Sequence, residues 1–102
     1  MNTIVKLMMT WNIKPGQEEQ YFVFITQDFP FVLQDAGFKL TDAWYTVYGD
    51  WPQVRMGFEG DDLQTLEDFL ASERWREAKE QLLAYIQNYR QKIVTARGGF
   101  QL

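Results

Sequence analysis

The 102-residue chain contains no cysteine and no histidine, and both absences narrow what it can do. Without cysteine there is no disulfide framework, no thiolate nucleophile and no thiolate metal ligand. Without histidine, Ser-His-Asp and Cys-His catalysis, the usual zinc sites and imidazole-ligated haem are excluded. No apolar run approaches the ~18 residues that span a membrane, and the apolar N-terminus lacks a signal-peptide cleavage site. We therefore expect a cytoplasmic protein with no membrane partner.

Aromatic residues are abundant instead, with 4 Trp, 5 Tyr and 8 Phe making up 17% of the chain. The length suits one domain over residues 1–102, whose single core is small for this much aromatic surface. We expect a self-association surface or an apolar pocket to bury the remainder.

Charge is unevenly distributed along the chain, which has a net charge of −4. Residues 1–70 carry 4 basic and 11 acidic side chains, whereas residues 71–102 carry 6 basic and 3 acidic ones. Binding to nucleic acid requires a dense basic patch, which a mildly acidic chain does not predict. We expect no nucleic-acid partner.

The first third of the chain predicts a strand followed by an interrupted helix. Residues 3–13 alternate, and KPG at 14–16 ends the strand, one face of which is apolar (Val5, Leu7, Met9, Trp11 and Ile13). A helix is predicted from Gln17, with an apolar face comprising Phe22, Ile25, Phe29, Val32, Leu33 and Ala36. Pro30 lacks an N–H group, so we predict a kink or restart near Phe29, and Gly37 closes the helix.

The middle of the chain predicts a strand pair and a second helix. Residues 38–49 and 53–59 alternate as strands, and GDWP at 49–52 connects them as a hairpin. Asp61 is the expected cap of the helix that follows, with Gln64 completing a variant of the capping box.

The C-terminal third predicts a further helical segment and a last strand. Ser72 is the expected cap of the helix, whose apolar stripe comprises Trp75, Ala78, Leu82, Tyr85, Ile86 and Tyr89. The last strand is expected in KIVTARGGFQL, from Lys92 onward, with a bulge at Gly98-Gly99.

The resulting order, β-α-β-β-α-β, predicts an α+β fold of the ferredoxin-like class. In this sandwich a four-stranded antiparallel sheet carries two helices on one face. The opposite face would be left with Ile4, Met8, Trp44 and Tyr48, or with their neighbours one residue over. A second sheet is the simplest cover for it.

Few residues carry a chemical signal, and each has an ordinary structural alternative. Trp75 lies on an apolar stripe and either packs in the core or lines a pocket, the core being the favoured interpretation. Trp11 with Asn12 could orient an oxygenated aromatic ligand, but Asn before KPG is also common in turns. The carboxylates of EGDD at 59–62 fit helix capping better than a metal site, so no metal is expected.

The layout, the strand-PG-helix opening from Trp11 to Gln20, and FLASERWREAKEQL at 69–82 resemble the dimeric α/β-barrel superfamily. Within it, the chain is most similar to the antibiotic-biosynthesis-monooxygenase-like branch. The second helix of that branch often carries a Ser, then an aromatic residue or His, then an Ala-rich turn, which Ser72, Trp75 and Ala78 match. The resemblance implies a homodimer with two sheets packed face to face as a barrel, and a pocket between sheet and helices in each subunit.

The activities that the resemblance implies are cofactor-independent oxygenation of polyphenolic aromatics and oxidative breakdown of haem. Where haem-degrading members carry a helix Trp, a haem-ligating His and a first-strand Asn, this chain has Phe69, Lys79 and Met9, which makes haem breakdown an unsuitable assignment. No cofactor is expected. The candidate pocket residues are Trp11, Asn12, Trp44, Tyr48, Phe69 and Trp75. The cofactor-free oxygenases use an Asn, a Trp and polar aromatics in the pocket, which Asn12, Trp11, Trp75 and either Tyr45 or Tyr48 could imitate.

Three functional hypotheses follow from the sequence. The first is a homodimer that binds a small apolar or aromatic molecule and acts as a cofactor-independent monooxygenase. The second is a non-catalytic ligand-binding or structural dimerisation module with the same fold. The third is an RNA-binding domain, which shares the element order but would need basic and aromatic residues where VRMGFEG at 54–60 offers only Phe58 and Arg55.

Overall fold

The computed structural model describes residues 3–46 and 52–97. Its elements are strand β1 (Thr3–Ile13), helices α1 (Glu18–Gln27) and α2 (Phe29–Asp35), strands β2 (Lys39–Tyr45) and β3 (Val54–Gly60), helices α3 (Leu63–Leu70) and α4 (Glu73–Leu83), and strand β4 (Ile86–Arg97). The strands form one antiparallel sheet in the order β2-β3-β1-β4. This confirms the ferredoxin-like fold, with each helical connection divided into two helices.

The first helical connection divides where the sequence predicted a restart. Pro30 is the second residue of α2, a position where a helix needs no N–H donor. One prediction about this connection was wrong, because Phe22 is 44% exposed instead of buried. Tyr21 takes the buried position, and with Phe24 and Ile25 it follows the i, i+3, i+4 spacing of a single helix face.

The second helical connection begins one residue later than predicted. The cap of α3 is Asp62 and not Asp61: its Oδ2 atom accepts hydrogen bonds from the Thr65 backbone N–H (2.9 Å) and hydroxyl (2.7 Å). Gln64 does not complete a capping box, since its side-chain amide donates to Asp68. The cap of α4 is Ser72, as predicted, and its hydroxyl oxygen accepts from the Trp75 backbone N–H at 3.2 Å.

The predicted extent of the last helix was wrong. Helix α4 ends at Leu83, and Ile86 and Tyr89 belong to β4, which begins six residues before Lys92. The reason is pairing: β4 runs antiparallel to β1 from Ile13↔Ile86 to Thr3↔Arg97, and those ladder hydrogen bonds replace the helical ones. An irregularity between Thr10 and Asn12 accommodates an extra β4 residue, and Asn88 there adopts a left-handed conformation (φ 60°).

The core lies between the helices and one face of the sheet, here called the helix face. Val5, Leu7, Met9, Trp11 and Ile13 of β1 are buried on it, as predicted. Phe38 also reaches this core, because Gly60 leaves room for its ring. A Cβ atom at position 60 would lie 2.6 Å from a Phe38 ring carbon, so the close approach requires glycine.

The other face of the sheet, here called the open face, carries the intervening β1 residues Ile4, Lys6, Met8 and Thr10. These are only half-buried, because the described helices pack against the helix face. Trp44, which pairs in register with Arg55, lies on the open face too. The predicted turn at 49–52 lies outside the described residues except for Pro52, and so do Tyr48 and the predicted bulge at Gly98-Gly99.

Candidate functional site

Aromatic rings form a continuous chain of contacts through the core and out to its edge. Neighbouring ring centroids are 5.2–6.5 Å apart, in the range of favourable aromatic pairs. In order, the rings are Phe38, Phe69, Trp75, Phe29, Trp11, Tyr21, Phe22 and Tyr45. The chain of rings fills the space between helices and sheet and reaches the surface at Phe22 and Tyr45.

Three of the sequence-predicted site residues, Trp11, Phe69 and Trp75, belong to this buried ring chain. Trp75 is 3% exposed and contacts Phe29 and Phe69 on either side, at 5.9 and 5.7 Å between centroids. Burial on the apolar stripe of α4 accounts for its placement among charged residues, since Arg76 pairs with both Glu73 and Glu80 on the exposed side.

The ring chain contains one buried polar contact, between Trp11 and Tyr21. The indole N–H of Trp11 donates to the Tyr21 hydroxyl at 3.0 Å, and Tyr21 is 2% exposed. Burial raises the pKa of Tyr21 to about 12, while the hydrogen bond from Trp11 opposes the shift. Tyr21 is therefore a neutral phenol at physiological pH. No acceptor for its own proton lies within hydrogen-bonding distance among residues 3–46 and 52–97.

An apolar groove of about 390 Å³ lies where helices α1 and α2 pass over the β2 edge of the sheet, and we call it the edge groove. Its walls are Tyr21, Phe22, Ile25, Thr26 and Pro30 from the helices, and Leu40, Ala43, Trp44, Tyr45, Val54 and Met56 from the sheet. Phe22 and Tyr45 contact each other across it, with ring centroids 6.0 Å apart. Such a lining suits a small apolar or aromatic molecule.

Tyr21 and Phe22 of this groove were not predicted as site residues, although they adjoin each other on α1. The usable signal was the pair of neighbouring aromatics near a helix start, of which a helix can bury only one. Of the predicted residues, Trp44 lines the groove, while Trp11 reaches it through Tyr21. Trp44 is 67% exposed and stands apart from the buried ring chain.

Asn12, another predicted site residue, is buried at the end of β1 and bonded to the strand connection. Its side-chain oxygen accepts from the Gln53 backbone N–H at 2.8 Å, and the Gln53 side chain accepts from the Ile13 N–H at 2.8 Å. These reciprocal bonds fix the start of β3 against β1. Asn12 also lines a cleft of about 500 Å³ at this end of the sheet, together with Thr10, Arg55 and Arg90.

Metal binding has no support in the described residues. Asp62 of EGDD caps α3, and its hydrogen bonds from Thr65 lower the pKa of its carboxyl group. No three carboxylates of residues 3–46 and 52–97 lie close enough together to hold an ion.

Solved structures with the same fold come from several groups of small proteins. A NIPSNAP family protein from Agrobacterium tumefaciens matches with a TM-score of 0.69 and 17% identity, over 95% of this chain and 88% of that one. A putative antibiotic biosynthesis monooxygenase from Nitrosomonas europaea matches with a TM-score of 0.63 and 10% identity, over 95% and 90%. A DABB family protein with a ferredoxin-like fold from Mesorhizobium loti matches with a TM-score of 0.70 and 7% identity, over 94% and 99%.

At these identities the likeness establishes the fold and not the activity. It confirms the fold that the sequence resemblance implied, and the monooxygenase-like branch is represented among the similar structures. No protein-family model and no curated protein sequence matches the chain. None of the described helices is both long and apolar enough to cross a membrane.

Proposed function

We propose that this chain is a cytoplasmic homodimer, an α/β barrel in which each subunit binds a small aromatic molecule in the edge groove. The observation that carries the proposal is the groove itself: its walls are apolar, and aromatic rings stand on both sides of it. A planar apolar molecule that packs in the groove against the Phe22 and Tyr45 rings would bury its surface and gain contacts with both rings.

The Tyr21 hydroxyl defines the polar group that such a ligand should carry. Its proton has no acceptor among the described residues, and the pKa of about 12 keeps the proton in place. Tyr21 therefore acts as a hydrogen-bond donor toward a carbonyl or ether oxygen of the ligand. Tyr21 does not suit the role of a base that removes a proton from the ligand, because such a base needs a pKa near the working pH.

The open face supports the homodimer. It exposes Trp44, and it holds Ile4 and Met8 half-buried without a helix over them. A second copy of the sheet would bury these side chains, and large apolar residues of this kind are common at such contacts. A species at twice the 12.1 kDa chain mass in native mass spectrometry is the expected result, and a monomer at every concentration would contradict this part of the proposal.

A ligand in the groove is either oxygenated by the protein or bound without reaction. The similar structure from Nitrosomonas europaea supports the first, as it is described as a putative antibiotic biosynthesis monooxygenase. The described lining of the groove contains no carboxylate, imidazole or thiol that could act as a base, which favours the second, a non-catalytic binding module. Oxygen uptake with a polyphenolic ligand, measured by an oxygen electrode, distinguishes them: uptake proportional to enzyme concentration supports the oxygenase, and none supports binding alone.

Groove binding is tested by equilibrium dialysis with two molecules of matched shape, 1-acetylnaphthalene and 1-ethylnaphthalene. Ala43 is exposed on the groove wall, so Ala43→Trp should fill the groove and weaken both ligands at least tenfold. Ala71→Trp is the matched control, because Ala71 is also exposed but lies outside the groove, and it should bind like the parent protein. Absence of binding by the parent protein, or equal weakening by both variants, would refute the edge-groove site.

The role of Tyr21 is tested with the same pair of molecules. Tyr21→Phe removes the donor, which should weaken the ketone about fivefold, the worth of one hydrogen bond of about 1 kcal/mol. The hydrocarbon has no acceptor, so its affinity should stay within twofold. Equal effects on both molecules would show that Tyr21 shapes the groove without bonding to the ligand.

A further inference from the structure

Three basic residues lie close together on the open face, at the end of the sheet near the β1 C-terminus. Thr10 of β1 pairs in register with Arg55 on one side and with Arg90 on the other. Met8, two residues before Thr10 in β1 and on the same face, pairs with Lys92. Because paired residues point to the same side of a sheet, Arg55, Arg90 and Lys92 share the open face with Thr10. We call these three residues the cation cluster.

The cation cluster has no acidic partner within the described chain. The ion pairs found there join Lys6 to Asp42, Arg74 to Asp35, and Arg76 to Glu73 and Glu80. The side chains of the cluster make no hydrogen bond and no ring contact with any of residues 3–46 and 52–97. All three are exposed in the single subunit, so their donors are available to a ligand there.

The spacing of the cluster suits an anion with several oxygen atoms. Adjacent strands lie about 4.8 Å apart, which places Arg55 and Arg90 about 10 Å apart at the backbone, one on each side of Thr10. Two guanidinium groups can converge across that distance on a single tetrahedral anion, and each offers a fork of donors matched to its oxygens. The surface there is concave: Thr10, Arg55 and Arg90 line the cleft of about 500 Å³ and an adjoining one of about 350 Å³ that Lys92 also lines.

The distribution of charge on the open face also favours an anion as the ligand. The chain has a net charge of −4, yet this end of the open face gathers three positive charges. Among residues 3–46 and 52–97, the acidic residues of the open face are Asp42 and Glu59, and both lie farther along the strands. Asp42 is bound to Lys6, and Glu59 pairs in register with Lys6 and Lys39. Neighbouring like charges repel each other, and a bound anion would reverse that repulsion.

We propose that the cation cluster is a binding site for phosphate, either as the free ion or as the phosphate group of a small organic molecule. A phosphate carries up to two charges at neutral pH and so complements three cations better than a carboxylate does. Trp44 pairs in register with Arg55, which places an exposed indole beside the site, where the organic part of a phosphate ester can stack. The three cations belong to one subunit and lie outside the edge groove, but the second sheet of the proposed dimer would cover the same open face, so phosphate and the second subunit should compete for it.

The test is isothermal titration of the protein with inorganic phosphate and with phenyl phosphate, in chloride buffer at constant ionic strength to hold screening fixed. Arg55→Gln and Arg90→Gln should each weaken phosphate at least tenfold. Lys39→Gln is the matched control, because it removes the same charge from the far end of the same face and should stay within twofold. Circular dichroism of each variant verifies that these exposed substitutions leave the fold intact.

The outcomes separate the sources of the phosphate. Tighter binding of phenyl phosphate, lost in Trp44→Ala, assigns the site to an organic phosphate, and equal binding of the two assigns it to the free ion. No heat above the chloride baseline, or equal weakening by all three charge variants, overturns the proposal. Single-stranded oligonucleotide binding far above that of either phosphate, lost in Arg55→Gln and Arg90→Gln, would also overturn it by assigning the open face to nucleic acid.

Discussion

Replacing Trp75 with alanine is the sharpest test of whether the ring chain is a structural core. The side chain is 3% exposed and contacts Phe29 and Phe69. An aromatic side chain buries roughly 200 Å², which at about 25 cal/mol per Å² gives about 5 kcal/mol before subtracting what alanine retains. We therefore expect Trp75→Ala to lower the free energy of unfolding by about 4 kcal/mol, within the range of core Trp→Ala substitutions.

The assay is urea unfolding followed by circular dichroism, since tryptophan fluorescence would lose one of its own reporters. With a urea dependence of about 2 kcal/mol per M, the transition midpoint should fall by about 2 M. Phe31→Ala is the matched control, because Phe31 is an exposed aromatic residue of α2 that lies outside the open face and the edge groove. Its midpoint should move by no more than about 0.3 M, because exposed substitutions change stability by about 0.5 kcal/mol or less. Both are measured at two protein concentrations, so that a lost contact between subunits appears as a concentration-dependent midpoint.

A Trp75→Ala cost below about 1.5 kcal/mol would refute the reasoning, because a ring that filled the core could not be removed so cheaply. That result, together with weaker binding of both naphthalene ligands, would instead support the pocket interpretation of Trp75. The ring contacts predict that Trp75→Ala lowers the stability of the protein and leaves the binding of both naphthalene ligands unchanged.

Three further predictions concern local features. Gly60→Ala should cost about 1–3 kcal/mol in urea unfolding, because the new methyl group meets the Phe38 ring, and Phe38→Leu in the same chain should recover part of the loss. Ser72→Ala should cost about 1 kcal/mol and Ser72→Thr much less, since only alanine removes the acceptor of the Trp75 N–H. The pKa of Tyr21 is raised by burial from 10.0 to about 12, so its stabilising effect is complete below pH 10 and is lost as the pH rises toward 12. Between those pH values the parent protein should lose up to about 3 kcal/mol more than Tyr21→Phe, and parallel pH profiles would contradict the shift.

The features that the sequence predicted correctly are those that depend on neighbouring residues. The alternation of apolar residues predicted β1, and the missing N–H of Pro30 predicted the division of the first helical connection. The Ser72 hydroxyl predicted where α4 begins. Each acts within about one turn or one strand of its own position. The start of α3 was missed by one residue because Asp61 and Asp62 are both competent caps, and the choice between them depends on the path of the chain leaving β3.

Features that depend on distant partners were missed. Tyr85, Ile86 and Tyr89 have helical spacing, but pairing with β1 places Ile86 and Tyr89 in β4, and no local pattern contains that information. The cation cluster is similar, since Arg55 and Arg90 become neighbours only because β1 lies between their strands. The net charge of −4 for the whole chain conceals this local concentration of positive charge.

The position of the edge groove follows from how the core is filled. The sequence resemblance implied a pocket between sheet and helices, but the central part of that space is occupied by Trp11, Phe29 and Trp75, with Phe29 in contact with both tryptophans. An apolar groove is left where the ring chain reaches the β2 edge, at Phe22 and Tyr45. A ligand there touches Tyr21, whose hydroxyl is hydrogen-bonded to Trp11 at the centre of the core. Binding in the groove should therefore change the surroundings of the Trp11 indole. Trp11 fluorescence should therefore report occupancy of the groove although Trp11 itself is fully buried.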